Sequence, residues 1–448
     1  MRRSWPLPLL LPAFLAAPNA SIVWYAPFLS GGGYCSEATA FVEGLSGSGA
    51  LAVGALQHGD GVATAYVRGL PLARSSLLSS LSSAAPAAAS ARTRVVVCHS
   101  EPGAWDVSRA LPARYATAHA CPPPRDRARV FAVGRTMFET DRLPDGWAQR
   151  LNGMDEVWVP TEFAARVFVA GGVVPRKVIV VPEPVDAAGE FSPTAGAAAA
   201  ATHPVLPPRA AATRFLFVGK FERRKGLDVL LAAFATAFAS APAAAELFVL
   251  TSAYHSSADF EAEVAREFRA LACGAGEGAG ARPARLCLPP TLAAAPPPVR
   301  LLAGVPQTAM AGVYAGVDAL VQPSRGEGWG RPHAEAMAMG LPVVATNWSG
   351  PTAFLTPENG YPLPFTHLAP VPDGAFKGHL MAEPDARALA ALLSEIVADP
   401  AAARARGARA RADMLQRYSL AAMAALVESH VRRIAAMEHF EAPARDDL

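Results

Sequence analysis

The chain has 448 residues, too many for one ordinary core and enough for two domains. Apolar residues make up 52% and charged residues only 17%, so burial is ample, although part of the excess is alanine in runs such as Ala197–Ala201. A net charge of +2 argues against nucleic-acid binding, and the basic residues are nearly all arginine, with lysine only at Lys177, Lys220, Lys225 and Lys377.

The first 17 residues run from a basic start through a short apolar stretch to small residues, the outline of a secretory signal. The alternative is a cytosolic or plastid protein with an apolar leader. Pro8 and Pro12 interrupt the stretch, which is too short to span a bilayer. Five cysteines (Cys35, Cys98, Cys121, Cys273 and Cys287) are scattered without a C-x-x-C pair, so neither a zinc site nor a disulfide framework is expected. They read mostly as small buried hydrophobes, with at least one unpaired by count.

Short β-rich runs alternate with polar turns and helical patterns, which predicts parallel sheets flanked by helices. In the first half, strands are expected near Ile22–Ala26, Leu51–Ala55, Arg94–Val97, Val130–Val133, Glu156–Val159 and Val178–Val181. Helices are expected over Cys35–Leu45 and Thr161–Val169, and Ser75–Ser90 reads as a loose loop or poor helix. From Pro182 to Ala212 the periodicity disappears into Pro, Ala and Gly, marking the domain boundary.

The pattern restarts with a strand at Arg214–Val218, a helix over Gly226–Phe238, a strand at Glu246–Leu250 and a helix near Ala258–Leu271. Residues Cys273–Pro298 read as a disordered Gly/Ala/Pro-rich insertion. A strand at Val299–Leu301, a helix over Gln307–Val317 and strands at Ala319–Gln322 and Pro342–Ala345 follow, then two or three helices between Pro384 and Phe440. The expected division is a leader over 1–20, a Rossmann-like domain over 21–185 and a linker over 186–212. A second Rossmann-like domain over 213–383 and C-terminal helices over 384–448 complete it.

The most informative stretch is Pro323-Ser-Arg-Gly-Glu327-Gly-Trp-Gly-Arg-Pro-His-Ala-Glu335. It joins a buried strand to a glycine turn and a helix from about Pro332 to Met339. The helix would aim free N–H groups at the turn, an arrangement that binds phosphate. Gly328 and Gly330 let main chain approach a ligand. Glu335 sits near the helix start, within reach of two ribose hydroxyls, and Glu327 lies across the phosphate position, facing a sugar. Upstream, the strand ending at Gly219 is followed by Lys220, Arg224 and Lys225. These cations point at the cleft outside the strand ends, although a solvated basic turn would read the same way.

Ser30-Gly-Gly-Gly33 is a weaker glycine turn before a helix, lacking both G-x-G-x-x-G and a Walker lysine. His99, Arg135 and Glu139 follow strands on the presumed cleft side; Arg135, Glu139 and Asp141 fit a salt-bridge network equally well. No D-x-D triplet or metal-ligand spacing occurs, so no metal is expected and the cations would neutralise the leaving group.

Together these residues resemble retaining glycosyltransferases of family four, over most of the chain from about Ser21. The most specific parts are Val218-Gly219-Lys220…Lys225-Gly226 and Glu327-Gly-Trp-Gly…Glu335-Ala-Met, followed by Gly340-Leu-Pro-Val-Val. The resemblance implies the GT-B fold, α/β with two Rossmann-like domains facing each other across a cleft. It also implies a nucleotide-diphosphate sugar as co-substrate, no cofactor, transfer to an acceptor hydroxyl with retention, and no metal. By resemblance, Gly219, Lys220, Lys225, Gly330, Arg331, Gly32 and Gly33 serve the donor diphosphate and Glu335 its ribose. Glu327 and His99 are the catalytic candidates, and Arg135 and Glu139 lie on the acceptor side.

The chain departs from the family at Ser349-Gly-Pro-Thr-Ala353, where a loop-holding glutamate is frequent. Asn347-Trp-Ser349 is a formal glycosylation sequon, and modification there would obstruct the donor. The alternatives are a nucleotide-sugar epimerase or hydrolase on the same fold, or a non-catalytic nucleotide-sugar-binding subunit. Sugar, base, acceptor and oligomeric state are not legible.

Overall fold

A computed structural model describes residues 20–88, 91, 93–108, 111–124, 130–251, 262, 298–302 and 304–437. The leader, most of the expected helix near 258–271, Cys273, Cys287 and nearly all of the insertion lie outside them.

Six apolar runs of the first half are strands: β1 (Ala20–Ala26), β2 (Ala52–Gln57), β3 (Thr93–His99), β4 (Phe131–Arg135), β5 (Glu156–Val159) and β6 (Val178–Val180). They pair in parallel in the order β2-β1-β3-β4-β5-β6. The second half holds β7 (Thr213–Val218), β8 (Ala245–Leu250), β9 (Val299–Leu302), β10 (Ala319–Gln322), β11 (Val343–Thr346) and β12 (Tyr361–Leu363). These also pair in parallel, in the order β12-β11-β10-β7-β8-β9. Strands with both faces covered read as unbroken apolar runs. In β7, Phe215 and Phe217 enter one core while Leu216 and Val218 enter the core on the opposite face.

The helices are α1 (Gly33–Ser48), α2 (Thr64–Arg68), α3 (Leu72–Ala88), α4 (Trp147–Asn152), α5 (Glu162–Ala170), α6 (Pro193–Thr202) and α7 (Leu227–Ala237). They continue with α8 (Met310–Ala315), α9 (Arg331–Ala338), α10 (Ala386–Ala398), α11 (Pro400–Arg417) and α12 (Leu420–Ala435). No helix among the described residues is long and apolar enough to cross a membrane.

Several elements depart from expectation. Of the two readings of the Ser/Ala-rich stretch, loose loop or poor helix, the helix holds: it is the 17-residue α3, with Leu78, Leu81, Ala85 and Ala88 buried at helical spacing. Its serines fold back on the helix, Ser75 Oγ donating to the Leu72 carbonyl at 3.0 Å and Ser80 Oγ to the Leu77 carbonyl at 2.8 Å. The 186–212 stretch contains α6, capped by Ser192, whose hydroxyl accepts from Ala195 N at 3.2 Å. This helix has no apolar periodicity because it is nearly all alanine, and small residues let it lie close against Gly312 of α8. The helix expected over Gln307–Val317 is a 3-10 turn followed by the six-residue α8.

The cysteine expectation is also corrected: Cys98 and Cys121 form a disulfide, and Cys35 is free and buried. Their 23-residue separation offers no motif, and the bond depends on the β3 end meeting a distant loop. An antiparallel ribbon, β13 (Phe365–Pro370) and β14 (Leu380–Pro384), was not anticipated. It hooks onto the loop after β4, where Asp141 Oδ1 accepts from Leu380 N at 2.6 Å and Phe138 packs against Phe376. Finally, α12 returns to the first half, where Met423, Val427, Val431 and Ile434 share a core with Ile22, Trp24, Phe41 and Leu45.

Candidate functional site

Outer helices begin with a side chain that caps the first turn: Thr161 for α5, Asp385 for α10, Asp399 for α11 and Ser419 for α12. Several helices lack such a cap, among them the short α2, α4 and α8 and three that open on the cleft. The N-caps of α1, α7 and α9 are Gly32, Gly226 and Gly330, and no side chain accepts from their first-turn amides. These three follow the carboxyl ends of β1, β7 and β10, where open sheets bind ligands.

Glu327 is the centre of the second-half site. Its carboxylate accepts from Lys225 Nζ at 2.7 and 2.9 Å, from Arg224 Nη1 at 3.0 Å and from Ser324 Oγ at 2.7 Å. Burial pushes the Glu327 carboxyl up, but Lys225 and Arg224 outweigh it and hold it far below the usual carboxylate range. Burial also pulls the Lys225 ammonium down, against the attraction of Glu327. The pairing depends on Gly226, at φ +73°, where a Cβ would lie 1.9 Å from the Pro323 carbonyl oxygen. Gly219 packs more loosely against the Lys225 side chain, where a Cβ would lie 3.2 Å from Cγ.

The loop after Glu327 is held from β11. Ser349 Oγ accepts from Glu327 N at 3.0 Å, and Gly350 N donates to the Glu327 carbonyl at 2.9 Å. Ser349 thus supplies a loop contact at the position where the family often has glutamate, and it adopts φ +57° to do so. Its hydroxyl is buried, whereas Asn347 of the sequon is exposed.

Glu335 lies on α9, 6% exposed, and accepts from Tyr314 Oη at 2.9 Å. Burial pushes its carboxyl up, partly offset by Arg331 at 3.9 Å. Arg331 also donates to Glu183 Oε2 and to the Pro184 carbonyl, each at 3.2 Å, tying α9 to the segment after β6. One crevice is lined by Gly31, Gly32 and Ser36 from the first half and Arg331 from the second, so two expected phosphate elements meet there; Gly33 is exposed beside it. Lys220, exposed, lines a separate cavity of about 340 Å³ with Glu139, Arg223 and Arg224.

On the first-half side, His99 and Arg135 are both fully buried. Trp24 Nε1 donates to His99 Nδ1 at 2.9 Å. An indole can only donate, so Nδ1 accepts and the proton sits on Nε2, which donates to Glu37 at 3.0 Å. Burial pushes the His99 pKa down, which favours this neutral form. Glu37 also accepts from Arg135 Nε at 2.7 Å. Burial raises Glu37, but Arg135 and His99 outweigh it and bring it to about 2. The Tyr34 and His99 rings meet edge to face at 5.4 Å, and Tyr34 Oη lies 3.0 Å from Thr136 Oγ1.

Glu139 differs, because it reaches Arg224 of the other half at 3.3 Å. Arg135, Glu139 and Asp141 therefore belong to three separate networks, and Asp141 pairs with Arg142. Sequence reasoning placed Arg224 only among the cleft cations, not on Glu327, and assigned no roles to Ser324, Ser349, Tyr314, Glu183 or Glu37. Arg224 stands in the basic cluster and Ser324 and Ser349 flank Glu327, but nothing local marks the other three.

Two facing sheets of parallel strands, glycine-capped helices opening on the cleft between them and C-terminal helices that cross back define the GT-B fold. Among known proteins, residues 212–399 match the family described as Glycosyl transferases group 1. A D-inositol 3-phosphate glycosyltransferase of Corynebacterium kroppenstedtii is 32% identical over 162 residues, 36% of this chain. The match spans only 31% of that relative's length. The HepE protein of Anabaena, solved in complex with UDP and glucose, superposes with a TM-score of 0.61 at 15% identity, over 92% of this chain and all of that one. The sucrose-phosphate synthase of Thermosynechococcus elongatus gives a TM-score of 0.61 at 18% identity, over 93% and 99% of the two chains.

Proposed function

We propose that the protein is a retaining, metal-independent glycosyltransferase that moves a sugar from a nucleoside-diphosphate sugar to an acceptor hydroxyl. The observation that carries this reading is the Lys225–Arg224–Glu327 cluster beside the glycine-capped start of α9, with Glu335 on the same helix. The group 1 glycosyltransferase domain covers the same residues, and the similar Anabaena fold holds UDP and glucose.

In this reading the donor diphosphate is met by Lys220, Lys225 and Arg331, by the amides after Gly330 and by main chain at Gly219, Gly32 and Gly33. Glu335 takes the ribose hydroxyls and Glu327 faces the sugar. The sugar's bond to the diphosphate oxygen breaks and its bond to the acceptor oxygen forms on the same face. The acceptor proton passes to the departing diphosphate oxygen. The cations then stabilise the charge that develops on the leaving group. Glu139 approaches the acceptor, while His99 and Arg135 act from the core by fixing Glu37 and so the α1 glycine turn.

Calorimetry with UDP tests the assignment. Lys225→Ala and Glu335→Ala are each expected to weaken binding at least tenfold, or about 1.4 kcal/mol. Unchanged affinity in both folded variants would remove the donor site from this position.

A further inference from the structure

A second cavity, of about 300 Å³, lies in the first half beneath α2 and α3. Phe28, Leu29, Ala55, Val67, Leu70 and Leu78 line it, and none of its lining residues is charged. Of the four polar side chains in its wall, Gln57 and Ser75 are spent on the wall itself, and Ser79 and Ser82 are exposed. Gln57 Oε1 accepts from Leu29 N at 3.1 Å, Gln57 Nε2 donates to the Asp60 carbonyl at 2.9 Å, and Ser75 Oγ donates to the Leu72 carbonyl at 3.0 Å. What remains is apolar surface, continued outward by Val67 and by Leu72, which is 82% exposed.

The space is a groove open to solvent, with Val67, Ser79 and Ser82 exposed along it, and its volume lies at the lower end of ordinary small-ligand sites. Its position indicates the occupant. Leu29 runs directly into the Ser30–Gly33 turn, and Gly31 and Gly32 line the crevice shared with Arg331. Tyr66 and Arg74 line that crevice, while their chain neighbours Val67 and Ser75 line the cavity. The Tyr66 ring packs against Gly31, where a Cβ would meet it at 3.0 Å, at the crevice end of this contact.

We propose that this cavity seats the apolar part of the acceptor, an aromatic group or alkyl chain attached to the hydroxyl that receives the sugar. The proposal rests on the transferase reading above. It makes the acceptor amphipathic, with its apolar end under α2 and α3 and its hydroxyl in the cleft.

Calorimetry with n-butanol, n-octanol and 2-naphthol tests it, with UDP binding measured on the same samples. At least one of n-octanol and 2-naphthol should bind the protein tenfold or more tighter than n-butanol, and which one does so separates alkyl from aromatic acceptors. Ser79→Trp, filling the cavity from α3, should weaken that binding at least tenfold. Ser80→Trp, exposed on the same helix but outside the lining, should not. Ser82→Trp, also in the lining, repeats the test should Ser79→Trp fail to fold. UDP binding without any preference for the larger alcohols, or a preference that the filled variants keep, overturns the apolar subsite and leaves the transferase reading standing. Loss of UDP binding in the unaltered protein instead overturns the transferase reading, and the acceptor assignment with it.

Discussion

Ser349 holds the Glu327 loop with one hydroxyl, at a backbone angle that side chains rarely adopt. Ser349→Ala strands a buried N–H and keeps the unfavourable φ, so it should cost about 1–3 kcal/mol in urea unfolding. Ser349→Gly leaves the same N–H unpaired but relieves φ, and should cost less. Equal stability of both variants and the native protein would show that the hydroxyl does not hold the loop.

His58 offers a pH prediction. It is fully buried, and its Nδ1 lies 2.8 Å from the His119 carbonyl, so Nδ1 must carry the proton and Nε2 is bare. A second proton would have no partner, and burial brings the pKa from 6.5 down to about 4. The unfolded chain therefore binds protons more readily in that window. The His58 contribution is fully present above pH 6.5 and is lost as pH falls towards 4. Thermal melts should show native stability falling relative to His58→Phe across that interval, and parallel melting curves would refute the assignment.

At the scale of elements, α7 and α9 are placed by glycines that let two loops touch. Gly226→Ala would force a methyl onto the Pro323 carbonyl at positive φ, and should cost about 2 kcal/mol or more. Gly33→Ala, in the first turn of α1 with nothing within 4 Å of its Cβ, is the control and should leave the melting temperature nearly unchanged. Equal effects of the two would mean that close approach is not what Gly226 provides. These loops were legible because a strand, a glycine turn and an amphipathic helix each leave a local pattern. The helix α3 was legible only as one of two readings, because its serine content masked the buried Leu78–Leu81–Ala85 stripe, and α6 was not, because a run of alanine has no periodicity to read.

For the molecule as a whole, α12 belongs to the first core despite its place at the end of the chain. Its removal would expose Ile22, Phe41 and Leu45, and it would strand Glu156, which pairs with Arg433 at 2.7 Å. A chain ending at Tyr418 should therefore be insoluble or aggregated on expression, as should residues 20–212 alone. Supplying residues 419–437 to residues 20–212 should recover soluble protein. A stable, monomeric chain ending at Tyr418 would show that α12 is dispensable to the core.

The sequence by itself determined the strands other than β12, β13 and β14, the two-sheet class, and the separate local motifs that carry Lys225, Glu327 and Glu335. Each rests on an apolar run or on a turn joined to its helix within a few residues, and such short-range patterns survive in one dimension. Only the tertiary structure decided that Lys225 meets Glu327, that the buried His99 and Arg135 converge on Glu37, and that Cys98 finds Cys121. Those contacts join residues tens to hundreds of positions apart. Their existence depends on strand order and loop path, and no local spacing encodes either.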